Sequence, residues 1–187
     1  VNYQRAYNPK LAIKELQPVA FLGAGKESAG FGLPSNLTIH PAFQNHNVPV
    51  VLATSNMFAP FAASVIQSVI DCASPEYYYD IICIEQELTA ENKRKLKSLQ
   101  RGSNVSVRIF HIRFADFLQK GEVNAYISSE TYFRLFFPYL LTKYKKILWL
   151  DSDTLVRRDV AELFNTELGD LLIGATRDYN ATALLKG

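Results

Sequence analysis

Sulfur is scarce in this sequence: among 187 residues there are two cysteines and one methionine. Cys72 and Cys83 match no zinc-ligand spacing and are too few for a disulfide framework. Both are expected as reduced thiols, one at a helix end and one in a buried strand. Charge of one sign is missing as well. Lys and Arg number 20 against 18 Asp and Glu, a net charge of +2, without the basic stripe that nucleic-acid binding requires. No nucleic-acid partner is therefore expected. No apolar run approaches the roughly 20 residues of a membrane span, and Val1-Asn2-Tyr3-Gln4-Arg5 lacks the charged-then-apolar layout of a signal peptide. These absences fit a cytoplasmic globular domain. A composition of 48% hydrophobic and 20% charged residues sets disordered and fibrous chains aside.

Residues 1–47 are rich in Gly, Pro and Asn, with only a short helix expected around Pro9–Leu16. They read as an N-terminal extension or linker, and residues 48–187 as the folded domain. Gly23-Ala24-Gly25-Lys26 invites a phosphate-loop reading and fails it on spacing. Ala20 stands where a Walker loop needs glycine, and Glu27 where it needs Ser or Thr. Gly30, Gly32 and Pro34 would also spoil the helix that must follow a dinucleotide fingerprint.

From Val48 onward strands and helices alternate. Val48–Thr54 and Asp80–Ile84 are apolar, β-branched runs of the kind buried on both faces of a sheet. Phe58–Cys72 carries Phe58, Phe61, Ala62, Val65, Ile66, Val69 and Ile70 at helical spacing, with Pro60 tolerable in the first turn. A helix from Thr89, its N-cap, to about Leu99 precedes a third strand over Val105–Ile112. A further amphipathic helix is expected from Ser128 to Leu141, then strands at Lys146–Leu150 and Leu171–Ala175. The pattern predicts an α/β fold, a mostly parallel sheet flanked by helices. Such sheets bind ligands beyond the carboxyl ends of their strands.

Asp151 and Asp153 follow the apolar strand directly. Residues two apart in an extended chain project to one side, so the two carboxylates repel unless a cation neutralises them. Hard oxygen ligands suit Mn²⁺ or Mg²⁺, which can bridge substrate phosphates and stabilise a departing diphosphate. The other reading is a solvated turn in which Asp151 caps a backbone N–H and Asp153 is merely exposed. His111 reads as a strand residue satisfied locally. Tyr77-Tyr78-Tyr79 reads as a contact patch or, more commonly, a turn packing on the strand after it. Three Asn-x-Ser/Thr sequons, at Asn36, Asn104 and Asn180, matter only in a secretory context.

Ile147-Leu148-Trp149-Leu150-Asp151-Ser152-Asp153-Thr154-Leu155-Val156 closely resembles the Asp-x-Asp signature of glycosyltransferase family 8, the retaining galactosyl- and glucosyltransferases related to lipopolysaccharide enzymes and glycogenin. Supporting segments stand in order: Val50–Thr54, Leu88–Lys93, Thr131–Leu135, Asp159–Phe164, and Ile173-Gly174-Ala175 leading to Asp178. The resemblance runs from about Val48 to Tyr179. It implies a GT-A fold, a UDP-sugar donor with Mn²⁺ (or Mg²⁺), and a saccharide or glycolipid acceptor. It further implies Asp151 and Asp153 as metal ligands, and Ala53, Thr54, Ser55 and Phe58 bordering the nucleotide, with Ser152 also among the nucleotide contacts. The resemblance also places Arg134 near the donor sugar and Asp178 beside the transferred one, both as catalytic candidates. Three departures stand out. Ser55-Asn56-Met57 replaces an acidic or amide pair usual in the family. A third metal ligand, a histidine in His-x-x-Gly-x-x-Lys-Pro-Trp, is expected beyond residue 187, as is the acceptor half. The chain is thus expected to be a C-terminally truncated piece of a longer transferase, weakly active or inactive alone, whose full-length form associates at most peripherally with the inner face of a membrane. Two other readings stay open. A nucleotidyltransferase would need a Gly-rich basic loop where Ser55-Asn56-Met57-Phe58 stands. A degenerate, non-catalytic domain would bind metal and UDP no worse without its two carboxylates.

Overall fold

The computed structural model describes residues 38–112 and 133–176. Four strands, β1 (Asn47–Thr54), β2 (Tyr78–Glu85), β3 (Val105–His111) and β4 (Leu148–Trp149), form one parallel sheet in the order β3-β2-β1-β4. β1 and β2 align from Asn47 opposite Tyr78 to Thr54 opposite Glu85. Seven of the eight residues in each of these strands are buried. That is why both read as nearly continuous apolar runs with no polar alternation.

Layers on both faces cause this burial. Val48, Val50 and Leu52 with Tyr79, Ile81 and Cys83 point to one side, against α1 (Ala59–Asp71), α2 (Ala90–Lys97) and a later short helix. Val51, Ala53, Ile82 and Ile84 point to the other, against Ile39, Phe133, Phe137, Leu140 and Leu141. Helix α1 starts with Pro60 in its first turn, where a missing N–H costs nothing. Its buried stripe is Ala59, Ala62, Val65, Ile66 and Val69. Helix α2 is capped as expected: Thr89 accepts a bond from the Asn92 N–H at 3.2 Å. Cys72 and Cys83 are both free thiols, the first closing α1 and the second inside β2.

Several expectations need correction. The helix over 128–141 is, in its described part, a 3₁₀ turn at Phe133–Phe136 followed by a single α-turn, α3 (Phe137–Leu140); residues 128–132 and the Pro9–Leu16 helix lie outside the described residues. The Lys146–Leu150 strand shrinks to Leu148–Trp149, since only Val50 and Val51 pair with it. Leu171–Ala175 forms no strand: Leu171 closes a turn onto the Leu168 carbonyl at 3.0 Å, and Leu172 and Ile173 are exposed. Apolar residues at strand spacing gain nothing without a neighbouring strand or a covering layer. A helix that periodicity did not single out, α4 (Val160–Phe164), starts at Asp159, whose carboxylate accepts the Ala161 N–H at 2.8 Å. Asp159 with Glu162 three residues on was its sequence signal. Tyr77 to Tyr79 are packing residues. Tyr79 is buried and donates its hydroxyl proton to Asp159 Oδ1 at 2.6 Å, and Tyr78 packs at a tilt against Phe43. The sheet and its helices through Thr166 form one compact unit, and 167–176 belong to a second.

Candidate active site

From β1 the chain moves outward through β2 to β3 and then returns to place β4 on the opposite side of β1. The order therefore reverses between β1 and β4. Helical connections leave on either side of such a point and open a crevice beyond the carboxyl ends, where open α/β sheets bind ligands. Val51 pairs with Trp149, and the Leu150 N–H donates to the Val51 carbonyl at 3.0 Å. The two segments that leave the sheet here are Ser55–Phe58 after β1 and Asp151–Thr154 after β4.

Asp151 opens a tight turn. Its carbonyl accepts the Thr154 N–H at 3.2 Å and the Thr154 hydroxyl at 2.8 Å, with Ser152 and Asp153 in the central positions. The Asp151 carboxylate receives two further donors on Oδ1: the Trp149 indole N–H at 3.0 Å and Arg134 Nη2 at 3.3 Å. The Arg134 guanidinium also lies over the Trp149 ring, 5.3 Å from its centroid. Trp149 packs on Phe137 with centroids 5.0 Å apart. The Arg134–Asp151 pair is exposed (44% and 56% by side chain), so it holds the two groups together by at most about 1 kcal/mol. A ligand that met either charge could open it.

The donor set fits a hard divalent cation that brings ligands with it. Among the described residues no cluster of three or more His, Cys, Asp or Glu side chains is present, so the chain supplies no closed cage there. Asp151 and Asp153 are exposed on one turn. Magnesium-type ions are held in this way, by one or two carboxylates with substrate phosphates and water completing the shell.

The remaining expected residues separate into three groups. Ala53 and Thr54 end β1 as buried residues, Thr54 bonding the Ser55 carbonyl at 3.2 Å, so backbone is what they can offer a ligand. Phe58 and Phe61, counted with the buried stripe of α1, are 40% and 54% exposed, and their rings meet at 5.8 Å. Phe58 precedes the helix in the segment that leaves β1, with half-buried Ser55 and exposed Met57 beside it. Asp178 lies outside the described residues. Asn56, named above only within Ser55-Asn56-Met57, has a role the sequence did not disclose. Its side-chain oxygen accepts from Asn92 Nδ2 at 2.8 Å and from the Thr89 N–H at 3.2 Å, tying the loop after β1 to the start of α2. Glu85, level with Thr54 at the sheet edge, is a second such residue. Fully buried, it accepts the Leu88 N–H at 2.7 Å and pairs with Lys93 at 2.7 Å and His111 at 3.2 Å. A glutamate closing an apolar strand was the available signal. His111 is thereby a strand residue satisfied locally, as expected.

Residues 49–185 match the family described as Glycosyl transferase family 8. The chain belongs to this family. A putative glycosyltransferase of Haemophilus influenzae is 25% identical over 129 residues, which are 69% of this chain and 38% of that protein. Glycosyltransferase 8 domain-containing protein 1 of Mus musculus is 26% identical over 160 residues, 82% of this chain and 39% of that one. The family 8 chain thus spans well under half the length of these curated relatives. Among solved structures, the bifunctional glycosyltransferase WbbM in its apo form shares 34% identity with a TM-score of 0.61, covering 71% of this chain and 23% of that one. The galactosyltransferase LgtC, solved with donor and acceptor sugar analogues, shares 26% identity with a TM-score of 0.61, covering 72% and 48%. The parallel sheet with its flanking helices is the GT-A fold of these transferases. No helix among the described residues is long and apolar enough to cross a membrane.

Proposed function

We propose that this chain is the donor-binding part of a hexosyltransferase. In this reading the whole protein moves a hexose from a UDP-sugar to a saccharide or lipid-linked acceptor, with retention at the anomeric carbon and dependence on Mn²⁺ or Mg²⁺. The observation that carries it is the Asp151–Asp153 turn with Arg134 beside it, at the point where the strand order reverses. Asp151 and Asp153 would hold the cation. When bound, it would neutralise charge on the departing diphosphate. Arg134 exchanges its weak pairing with Asp151 for a phosphate oxygen, where its planar fork is a better match. Phe58, partly exposed in the segment after β1, would offer a face on which a base stacks. Ser55 and the backbone of Ala53 and Thr54 border it, Ser152 lies beside the diphosphate, and Asp178 is assigned to the transferred sugar by family position.

The test is calorimetric titration of UDP into this chain with Mn²⁺ and then with EDTA, repeated on Asp151→Ala/Asp153→Ala after circular dichroism confirms its fold. Metal-dependent binding that weakens at least about 100-fold in the double variant is expected, the loss of two charged metal ligands. Equal binding in the variant and the parent, or binding indifferent to EDTA, would remove the carboxylates from the donor site.

A further inference from the structure

Trp149 is the only tryptophan in the chain, and its position does more than packing asks of it. Half-buried in a two-residue strand, it lies against Phe137 at 5.0 Å; phenylalanine or leucine would fill that contact as well. What neither could supply is the indole N–H that reaches Asp151 Oδ1 at 3.0 Å. Leucine would also lack the ring face that carries the Arg134 guanidinium at 5.3 Å. Asp151 itself sits past the end of the ladder, on an exposed turn, where a carboxylate is otherwise free to sample its rotamers. Both side-chain bonds to Asp151 among the described residues fall on Oδ1, and the carboxylate is exposed.

We infer that Trp149 is the positioning residue of the donor site: its N–H fixes the Asp151 carboxylate in the orientation that takes the cation, while its ring holds Arg134 within reach of the same ligand. The inference rests on the reading of Asp151 and Asp153 as metal ligands. Groups that hydrogen-bond a metal ligand from behind fix its direction and basicity, and removing one typically lowers metal affinity about 10- to 100-fold. Tryptophan here would serve a carboxylate as a carboxylate commonly serves a ligating histidine.

The experiment uses the full chain and two substitutions. Trp149→Phe keeps the ring under Arg134 and on Phe137 but removes the N–H; Trp149→Leu removes both. Mn²⁺ affinity is measured by calorimetry in the presence of UDP, and urea midpoints are recorded in parallel without metal. Trp149→Phe is expected to weaken Mn²⁺ binding about 10-fold with its urea midpoint unchanged. Trp149→Leu is expected to weaken UDP binding in EDTA as well, because Arg134 loses its platform. In the parent chain the lone indole reports directly, and Mn²⁺ with UDP is expected to quench its fluorescence, an effect that Asp151→Ala/Asp153→Ala abolishes. Undiminished Mn²⁺ affinity in a folded Trp149→Phe would overturn the role of Trp149 and leave the donor site standing. Full Mn²⁺ and UDP binding by the double aspartate variant, or none by the parent chain, would overturn both. If Trp149→Phe loses stability, Mn²⁺ affinity at a temperature where it remains folded still decides: a purely structural residue leaves that affinity, and the quenching in the parent, untouched.

Discussion

Strand β2 carries a carboxylate at either end of the buried run Ile81–Ile84, and both are fully buried. Asp80 is the more heavily bonded. Arg108 reaches it through Nε at 2.9 Å and Nη2 at 2.7 Å, the Tyr144 hydroxyl donates at 2.8 Å, and the Ala42 N–H at 2.9 Å. Water could do no better for the charge, which is the condition for burying it at all. Asp80→Ala strips Arg108 of its fork partner and orphans a hydroxyl and an amide together. The expected cost is about 3–5 kcal/mol, the range for breaking a buried pair from one side. It is read as a lower urea midpoint with the slope unchanged. An effect below about 1 kcal/mol would show that water replaces the carboxylate there. None of this was legible in the sequence, where Asp80 simply began a strand: its partners lie 28, 64 and 38 residues away, a distance that local pattern does not bridge. Asp151 and Asp153 were legible for the opposite reason. Strand and carboxylates there are consecutive, so their place past the end of β4 was readable, but the same-side spacing assumed an extended chain where Asp151–Thr154 is a tight turn. What spacing did not disclose was Trp149 behind Asp151, because an aromatic residue in an apolar strand reads as core.

At the scale of elements, the loop after β1 owes its position to α2. Thr89 caps that helix through Asn92, and the Asn92 amide, with the Thr89 N–H, is in turn bonded to Asn56. Removing Asn56 leaves α2 capped and releases only the loop. Asn56→Ala is therefore expected to cost about 1 kcal/mol of stability, a fall in melting temperature of a few degrees. It should also weaken UDP binding up to about 10-fold, because Ser55 and Phe58 are no longer held in place. Calorimetry and a thermal melt on the same sample check both. A lower melting temperature with full UDP affinity would make Asn56 a stability residue alone. The central strands and α1 were readable because each buries a full face and so leaves a periodic trace; α2, which buries only Leu96, was readable from its Thr89 cap. β4 and the Leu171–Ala175 segment misled because apolar residues at strand spacing record a tendency to pair, while the partner that realises it is non-local. The stripe on α1 misled at its first turn for a related reason. Phe58 and Phe61 satisfy helical spacing with Val65, yet Phe58 precedes the helix and both rings stay exposed.

The described sheet unit is held as three layers, and two phenols join them. Tyr79, on β2, donates to Asp159 at the head of α4 and accepts the Ser74 N–H beyond α1 at 2.9 Å. Tyr144, after α3, donates to Asp80 and accepts from Arg108 Nη2 at 2.8 Å. Burial and the neighbouring carboxylates push both hydroxyls well above the ordinary phenol value of about 10. Burial, with Glu85 adding to it, pushes the Cys83 thiol up to about 12. All three groups bind their protons more tightly folded than unfolded. Their contribution is therefore complete below the unfolded values and is lost as pH rises through the folded ones. Stability is expected to hold to about pH 8 and to fall steadily above about pH 9–10, as thiol and phenols begin to ionise in the unfolded chain alone. Tyr79→Phe keeps the ring in the core but removes one of these protons, and with it the bond to Asp159. Its stability should be lower than that of the parent at pH 8 by about 1–3 kcal/mol, with a shallower decline between pH 9 and 11. Urea unfolding at four pH values measures both the offset and the slope. Parallel curves for the variant and the parent would mean that Tyr79 ionises alike in both states, so that the hydrogen bond to Asp159 does not hold α4 to the sheet through the phenol proton.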